Sequence, residues 1–543
     1  MSGLNNILNI AQSALFASQA SLNTTSDNIS NVNTPGYDVE TTQLEPIDYV
    51  DLSGSNPGSD SPGGVTVAGI QRQYSSFLQS QIYTTQQSMS GADASSTTLG
   101  QIEQAFNETG QTGLSTYFNN FVNDWQQVAS NPSDSAGRTV LLGDAQSLVS
   151  AAKDSQGAVL DAIKQANDTI SGTVQTVNSI ATSIAQLNGQ IAAAQGNTTG
   201  SLAQLQDQRD NLMNQLSQSI SFSYYTDSTG QVTIISGMGN LVSGSQTSAL
   251  STKQDANGDY QLYLGGTNVT SNITGGALGG LISARSQAET QGLEPLNRFV
   301  AALTQQVNIT QEQGYGLDGS TGTPFFSPLT LATSANSSAS IQASVTNESQ
   351  LTLDQYSISI DGSGNYNVHD TQTGQLVASG AYTSGGAINF NGIQAAITGA
   401  PAAGDTFTID PLKNAVSNFQ VALTDGSQVA AASSSSGLPG DNSNALAMVS
   451  TLNTAQVSGL GGQTLMGYYQ GIVSTTGTAS ASASDSQTFE SNLLDQLNQQ
   501  QDSVSGVNID EESVNLIKYQ QAYQAAAKLV ETTSELFQTL MNI

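Results

Sequence analysis

Each end of this chain carries apolar and small residues in two interleaved heptad series. Near the N-terminus they are Leu8, Leu15, Leu22, Ile29 and Leu4, Ala11, Ser18, Thr25, Val32. Near the C-terminus they are Leu516, Tyr523, Val530, Phe537 and Tyr519, Ala526, Thr533, Leu540. Spacing that alternates between three and four residues draws one stripe down one face of a helix, the pattern of a coiled-coil seam. The first helix should stop near Asn33, because Thr34-Pro35-Gly36 disfavours helix before the proline and supplies a turn. The last should begin at Asp510, Glu511 and Glu512, where carboxylates meet the positive end of the helix dipole. Ser18, Thr25 and Thr533 dilute the stripes, so each helix is marginal alone and should need packing partners. An ordinary amphipathic helix on a globular core would carry one such stripe; two, at opposite ends of one chain, favour assembly.

A third seam lies between them. Ile163, Ile170, Val177, Ile184 and Ile191 run beside Ala166, Thr173, Ile180, Leu187 and Ala194, and after a break at Gly196–Gly200 the pattern resumes in Leu202, Leu205, Leu212 and Leu216. This reads as a long helical hairpin. Another helical stretch runs from Phe489 through Leu493, Leu494 and Leu497 to Val504. Elsewhere the period changes to two. Ile220–Tyr225 and Val232–Ile235 flank a turn at Asp227–Gly230, Tyr260–Leu264 follows another at Asn257-Gly258, and Tyr356–Ile360 with Tyr366–Val368 reads as a hairpin. Ser433–Ser436 and Thr478–Ser484 are low-complexity stretches expected to be linkers or flexible segments.

A chain of 543 residues exceeds one ordinary core. The expected fold is α+β and multi-domain. Residues 1–60 and 490–543 would form a terminal coiled-coil domain, with both ends at one base. Residues 61–326 and 437–489 would form a helical shaft with a small β subdomain around 220–275. Residues 327–436 would form an outer β-rich domain.

Only 10% of residues are charged, and 11 basic against 42 acidic side chains leave a net charge of −31. Such a field repels nucleic-acid phosphates and anionic lipid, and no apolar run approaches the roughly 20 residues of a spanning helix. The neutral polar skin suits wide contacts with copies and partners. The first basic residue is Arg72, so Met1–Gln71 offers neither a positive n-region nor transit-peptide arginines. Export without a cleaved signal is the expectation.

Enzyme chemistry fails on inventory. There is no cysteine, which closes thiol catalysis and cysteine zinc sites. The single histidine, His369, reads as a surface residue near a turn rather than a triad member. Gly275–Gly280 is not followed by a lysine and reads as a turn opening a helix. Asp255, Asn257 and Asp259 alternate like calcium ligands, yet no glutamate closes the loop, so a hairpin turn is expected. Asp510–Glu512 reads as helix-start charge rather than a metal or acid/base group. No catalytic residue, metal or cofactor is expected, although a carboxylate pair joined only in space stays open.

The residues at the two ends resemble one family. Asn28-Ile-Ser-Asn31-Val-Asn33-Thr34-Pro35-Gly36-Tyr37, directly after the heptad helix, resembles the N-terminal signature of flagellar rod, hook and hook-associated axial proteins. Ser505-Gly506-Val507-Asn-Ile-Asp510-Glu511-Glu512, followed by Leu516, Gln520, Tyr523 and Ala525 to Lys528, resembles their C-terminal signature. The middle resembles the helical domain of hook-associated members: Val177–Asn188, Asp207-Gln-Arg-Asp210, Gly279-Gly280-Leu281 with Arg285, and Gly314–Gly319. Trp125 with Asn131-Pro132 and Arg138, and Gly440–Ala445, fit as well. Two positions depart from the pattern: Asp38 stands where a basic residue often follows Pro-Gly-Tyr, and Gln311 where a histidine is often seen.

The resemblance implies a structural subunit of the hook–filament junction, extracellular and exported unfolded through the flagellar type III route. It implies a ring of copies between the hook protein and a second junction protein, with terminal helices lining an inner tube and the β insertion facing outward. An export chaperone would hold the C-terminal seam. Leu4, Leu8, Leu15, Leu22, Ile29, Leu516, Tyr519, Tyr523, Val530, Phe537 and Leu540 would form the assembly interface. A second reading is another axial protein, chiefly the hook subunit, which shares the ends but should lack the Ile163–Leu216 hairpin. A third is a surface adhesin or carbohydrate-active protein acting through the β insertion.

Overall fold

The seams become helices and the alternating stretches become short antiparallel strands. A computed structural model describes residues 2–34, 36–47, 63–108, 113–195 and 201–541. The chain opens with α1 (Ser2–Asn31), β1 (Glu40–Pro46) and β2 (Val65–Arg72). Four helices follow: α2 (Ser76–Ala105), α3 (Leu114–Ser130), α4 (Ser135–Ala194) and α5 (Ser201–Ser219). Next come β3 (Ser223–Thr226), β4 (Val232–Ser236), β5 (Gly239–Ser243), β6 (Gln246–Thr247), β7 (Leu250–Gln254), β8 (Tyr260–Leu264) and β9 (Thr267–Asn268). Helices α6 (Gly276–Gln287) and α7 (Glu294–Gln313) lead into β10 (Ala332–Asn336), β11 (Ser340–Val345), β12 (Tyr356–Ile360) and β13 (Asn365–Asp370). The β region ends with β14 (Leu376–Ala381), β15 (Ala387–Phe390), β16 (Ile393–Thr398) and β17 (Thr406–Asp410), before α8 (Ser443–Asn453), α9 (Leu465–Ser505) and α10 (Ile509–Met541). The expected break at Gly196–Gly200 and the expected domain boundary near residue 60 lie outside the described residues.

The chain divides into two compact units. The first comprises Met1–Ser95, Asn167–Ile282 and Ser484–Ile543. Its α4 segment buries Ile170, Val177, Ile184 and Ile191 as the heptad spacing predicts. Two small sheets, ordered β3-β4-β5-β6 and β7-β8-β9, lie beside that segment. Asparagines join them to it. Asn188 donates to Val232 O and accepts from Val232 N, at 2.8 and 3.0 Å. Asn178 does the same for Leu250, both at 2.8 Å, and Asn167 accepts from Tyr260 N at 3.2 Å. A carboxamide offers one donor and one acceptor side by side, so it stands in for the next strand of a sheet edge. In this unit α2 and α6 also approach closely, since a Cβ on Gly280 would lie 2.0 Å from Gly91 O.

The second unit comprises Ser96–Ala166 and Ser283–Ala483. Phe121, Trp125, Phe325 and Phe326 form its aromatic centre, with edge-on or tilted rings 4.8–6.4 Å apart. The five-stranded sheet is ordered β10-β17-β12-β13-β14 and the three-stranded one β11-β16-β15. Tyr356, Ile358 and Ile360 are buried along β12, as are Ile393, Ala395 and Ile397 along β16, the alternation of sheets with one inner face. Pro295 has no N–H for the helical ladder, and the turn before it, Ala288–Leu293, widens to a π-helix. Arg138 is fully buried, its guanidinium donating to Pro132 O and Val429 O. Gln311, one of the two departures from the family pattern, bridges Gln428 O and Ala430 N at 2.8 and 3.0 Å.

The two low-complexity stretches differ from expectation. Thr478–Ser484 lies inside α9, with Ser480 buried. Alanines and serines tolerate helix, and the small side chains permit close packing. In the other stretch Ser433 donates from both its amide and hydroxyl to Asp441, each at 2.8 Å, which holds that loop in place. The Asp255–Asp259 segment is the turn between paired Gln254 and Tyr260, as expected.

The indole Nε1 of Trp125 is buried without a hydrogen-bond partner. Truncation there should open a large cavity, so Trp125→Ala should cost about 3–5 kcal/mol. Trp125→Phe keeps most of the volume and removes the unpaired donor, and should cost well under half as much. Urea unfolding followed by circular dichroism would measure both; equal losses would show that packing at this centre does not set stability.

Candidate assembly interface

The two terminal seams find each other within one chain. The C-terminal end of α1 meets the first turn of α10, and the two helices pack along their length, so they run antiparallel. The diluted stripes called for packing partners, and each terminal helix supplies one to the other. Leu4, Leu8, Leu15, Leu22 and Ile29 are half-buried. The most buried arc of α1 is small and polar instead: Ala11, Ala17, Ser21, Thr24, Thr25 and Asn28. Small residues bring helix axes and strand backbones close, which long leucines would prevent. The hairpin of β1 and β2 packs on the flank of this arc, where Thr42 Oγ1 donates to Thr24 Oγ1 at 3.1 Å and Val65 N to Ser13 Oγ at 3.2 Å.

On α10, Leu516, Tyr519, Tyr523, Val530 and Phe537 are half-buried beside the buried Ala526 and Thr533. Leu540 falls off the seam and is exposed. It joins a second apolar stripe with Val514, Leu529 and Leu536, all exposed, and Phe16 of α1 is 67% exposed.

Asn28 is the tie between the ends. It is buried, and its Nδ2 donates to Glu40 O at 2.9 Å and Glu512 Oε2 at 3.1 Å. Its Oδ1 accepts from Glu40 N at 3.0 Å and from the Tyr37 hydroxyl at 2.8 Å. Burial and the charges of Glu40, Asp207, Asp27 and Glu512 push that hydroxyl well above its ordinary range, so it stays a donor. The signature residues build the turn that makes this possible. Thr34 Oγ1 donates to Asn31 Oδ1, Tyr37 N to Thr34 O, and Gly36 takes φ +76°, a conformation that favours glycine. Asn33 is exposed, and Pro35 lies outside the described residues.

At the other end Asn508 caps α10 by accepting from Asp510 N at 3.0 Å. Asp510 and Glu511 are exposed there, as helix-start charge predicts. Glu512 is not part of that role alone: it is buried, held by Asn28 and by Asn515 at 3.2 Å. Gly506 leaves no room for a Cβ, which would sit 2.3 Å from Asp502 O, and Val507 beside it is half-buried. Val39 N donates to Ser505 O at 2.8 Å, a second tie between the two chain ends.

Below this tie sits an ion cluster the motif reading missed. Arg72 pairs with Asp38 at 3.2 Å, Asp210 at 3.0 Å, and Asp207. Arg209 Nη2 reaches the same Asp210 at 3.3 Å, and Arg72 also lies over the Tyr74 ring, 4.9 Å from its centre. Asp38, the other departure from the family pattern, thus faces a cation supplied from β2. The available signal was Arg72 itself, the first basic residue of the chain, and the Asp207-Gln-Arg-Asp210 element. Burial pushes Asp207 up to about 6, with Arg72 opposing. Burial and the charges of Asp207 and Asp27 push Glu40 up to about 7.

Raised carboxyl values mean that the folded state holds these protons more tightly than the unfolded one. Their contribution is therefore fully present at acid pH and is lost as pH rises through about 6 to 7. Arg72→Gln should destabilise this unit by about 3–5 kcal/mol at neutral pH, because buried carboxylates lose their cation. The deficit should shrink on acidification to about pH 5, as those carboxyls take up protons. Hydrogen exchange in β2 and α5, corrected for intrinsic rates, would measure it; equal protection in both proteins would remove the cluster as a source of stability.

Comparisons with known proteins agree along the chain. A family described as the flagellar hook-associated protein FlgK helical domain matches residues 99–326, and the D2-like domain of flagellar hook-associated protein 1 matches 331–411. The flagella basal body rod protein family matches 8–37, and the C-terminal family of basal body rod FlgEFG proteins matches 498–543. Flagellar hook-associated protein 1 of Escherichia coli K12 is 32% identical over 559 residues, covering 99% of this chain and 100% of that protein. Its Bacillus subtilis counterpart is 26% identical over 557 residues, covering 98% and 97%. The solved structure of the flagellar hook junction protein FlgK from Burkholderia pseudomallei shares the fold, with a TM-score of 0.67 at 23% identity, over 78% of this chain and 100% of that one. With its ends and its middle both matched in order, the chain belongs to the flagellar hook-associated protein 1 family.

Proposed function

We propose that this chain is a structural subunit of the bacterial flagellum that forms the hook–filament junction and is built in through its paired terminal helices. The observation that carries this is the antiparallel pair α1–α10, closed at Asn28 and still presenting apolar residues outward. A helix that has satisfied one seam and exposes Val514, Leu529, Leu536 and Leu540 on another has apolar area left to bury against neighbours. Copies of the chain in a ring, with hook protein below and a second junction protein above, would cover that stripe. The long α4 segment with its buried isoleucines favours a junction protein over the hook subunit. Residues 1–60 and 490–543 would form the inner layer, residues 61–326 and 437–489 the shaft, and the β-rich 327–436 the outer face. Export would run unfolded through the flagellar type III route, with a chaperone holding the C-terminal helix.

Leu529→Asp with Leu536→Asp places two carboxylates on the exposed stripe, away from the intramolecular seam. The double variant should keep its helix content by circular dichroism. In cells lacking the native gene it should leave hooks without filaments and abolish swimming. Normal swimming would exclude the stripe as an assembly surface. The chaperone assignment is tested separately by calorimetry. A chain ending at Gly506 should lose binding and one lacking Met1–Val32 should keep it, because α10 offers the larger apolar anchors. The reverse pattern would move the docking site to α1.

A further inference from the structure

The chain holds three Asn-Gly pairs, at 188–189, 257–258 and 391–392. Such a pair carries its own reaction. The backbone nitrogen after an asparagine can close a five-membered ring on the side-chain carbonyl carbon, and a glycine there has no Cβ to obstruct the approach. The fold treats the three pairs differently. Asn188 lies inside α4 and is fully buried. Its Nδ2 donates to Val232 O and Gly244 O, each at 2.8 Å, and its Oδ1 accepts from Val232 N at 3.0 Å. Helix and hydrogen bonds together hold that carboxamide away from ring closure. Asn391 stands at the turn of the β15–β16 hairpin, where its Nδ2 donates to the Tyr356 hydroxyl at 2.9 Å. Gly392 after it is buried, and its carbonyl accepts from Thr346 N and Asn347 N at 2.8 and 3.2 Å. Asn257 and Gly258 are both exposed, on the turn that joins β7 to β8. Gly258 takes φ +91°, and nothing lies within 4 Å of where a Cβ on it would project, so the ring has room to form. The Gly258 amide donates to Asp255 O at 3.1 Å, a bond at a hairpin tip that opens in local fluctuations.

We infer that Asn257 is a site of spontaneous covalent modification in the folded chain, passing through a succinimide to aspartate and isoaspartate. The Gly258 nitrogen gives up its proton and bonds to Asn257 Cγ. The Cγ–Nδ2 bond breaks, and ammonia leaves with that proton. Water then opens the ring. Attack at Cγ restores the ordinary peptide bond and leaves an aspartate, whereas attack at the backbone carbonyl leaves the chain linked through Cγ as isoaspartate. Water is the only co-reactant. Either product places a new carboxylate between Asp255 and Asp259. Asp255 already accepts from the amides of Asn257 and Asp259 at 2.9 and 3.0 Å, and Asp259 is buried, with Asn167 donating to it at 3.0 Å. Modification therefore adds like charge at the turn through which Asn167 ties this sheet to α4.

Incubation of the folded full chain at mildly alkaline pH, followed by trypsin digestion and peptide mass measurement, tests this. Cleavage after lysine and arginine puts the three pairs on separate peptides, 165–209, 254–285 and 299–413. A parallel sample in urea supplies the rate of each pair in the unfolded chain. In the folded chain the 254–285 peptide should gain the mass of an amide turned into an acid. Relative to urea, it should do so about tenfold or more faster than the other two, which react only when buried structure opens. Its rate should rise with pH, because the attacking nitrogen must lose its proton. Asn257→Gln would have to close a less favoured six-membered ring, so its 254–285 peptide should stay unmodified, with a melting curve to confirm that the variant folds. A 254–285 peptide unmodified while the urea sample converts would overturn the inference. So would equal relative rates for the three pairs, a rate independent of pH, or the same mass gain in Asn257→Gln.

Discussion

The carboxamide of Asn28 makes four hydrogen bonds, and through them one side chain joins three separate parts of the chain at a single buried point. It joins the end of α1 to the turn at Tyr37, to the first residue of β1, and to the first turn of α10. A buried amide that finds all four partners is stable, whereas one that loses a partner leaves an unsatisfied group. The site therefore tolerates little variation in the turn between α1 and β1. That explains why a signature of small polar residues and a glycine at positive φ follows the helix directly.

The same economy appears elsewhere. A chain with so few charges has to fix its sheets and loops by other means, and it uses carboxamides. Asn167, Asn178 and Asn188 each engage the backbone of a small sheet beside α4. Asn308 does the same for Phe326 in the other unit, donating and accepting at 3.0 and 2.9 Å. Amides carry no desolvated charge, so burying them costs less than burying ions once their bonds are met. Where arginines are buried they have definite partners: Arg72 pairs with Asp38, Asp207 and Asp210, Arg209 reaches the same Asp210, and Arg138 donates to the carbonyls of Pro132 and Val429.

The terminal pair shows how one chain can be both folded and ready to assemble. In it α1 buries small residues and half-buries its leucines, and α10 half-buries tyrosines, Val530 and Phe537. Its outward stripe is leucine-rich and lies on a different face of α10. With the two faces separate, the helices are paired along one side while the leucine stripe stays exposed on the other, and neither helix stands unpaired.

Much of this was legible in residue order. Heptad spacing places the three long helical seams, period-two stretches with Asp-Gly and Asn-Gly turns place the hairpins, and the end signatures point to the axial family. These features are local, set by backbone sterics and by which face of an element is apolar. What the sequence could not settle is who meets whom. Asn28 and Glu512 are separated by 484 positions, and Arg72 lies 135 and 138 positions from Asp207 and Asp210. No spacing rule links such residues, so Glu512 reads as helix-start charge until the fold buries it against Asn28. Thr478–Ser484 reads as a linker by composition, because serine and alanine tolerate both helix and coil. Only tertiary packing, through the burial of Thr476 and Ser480 along α9, decides for helix.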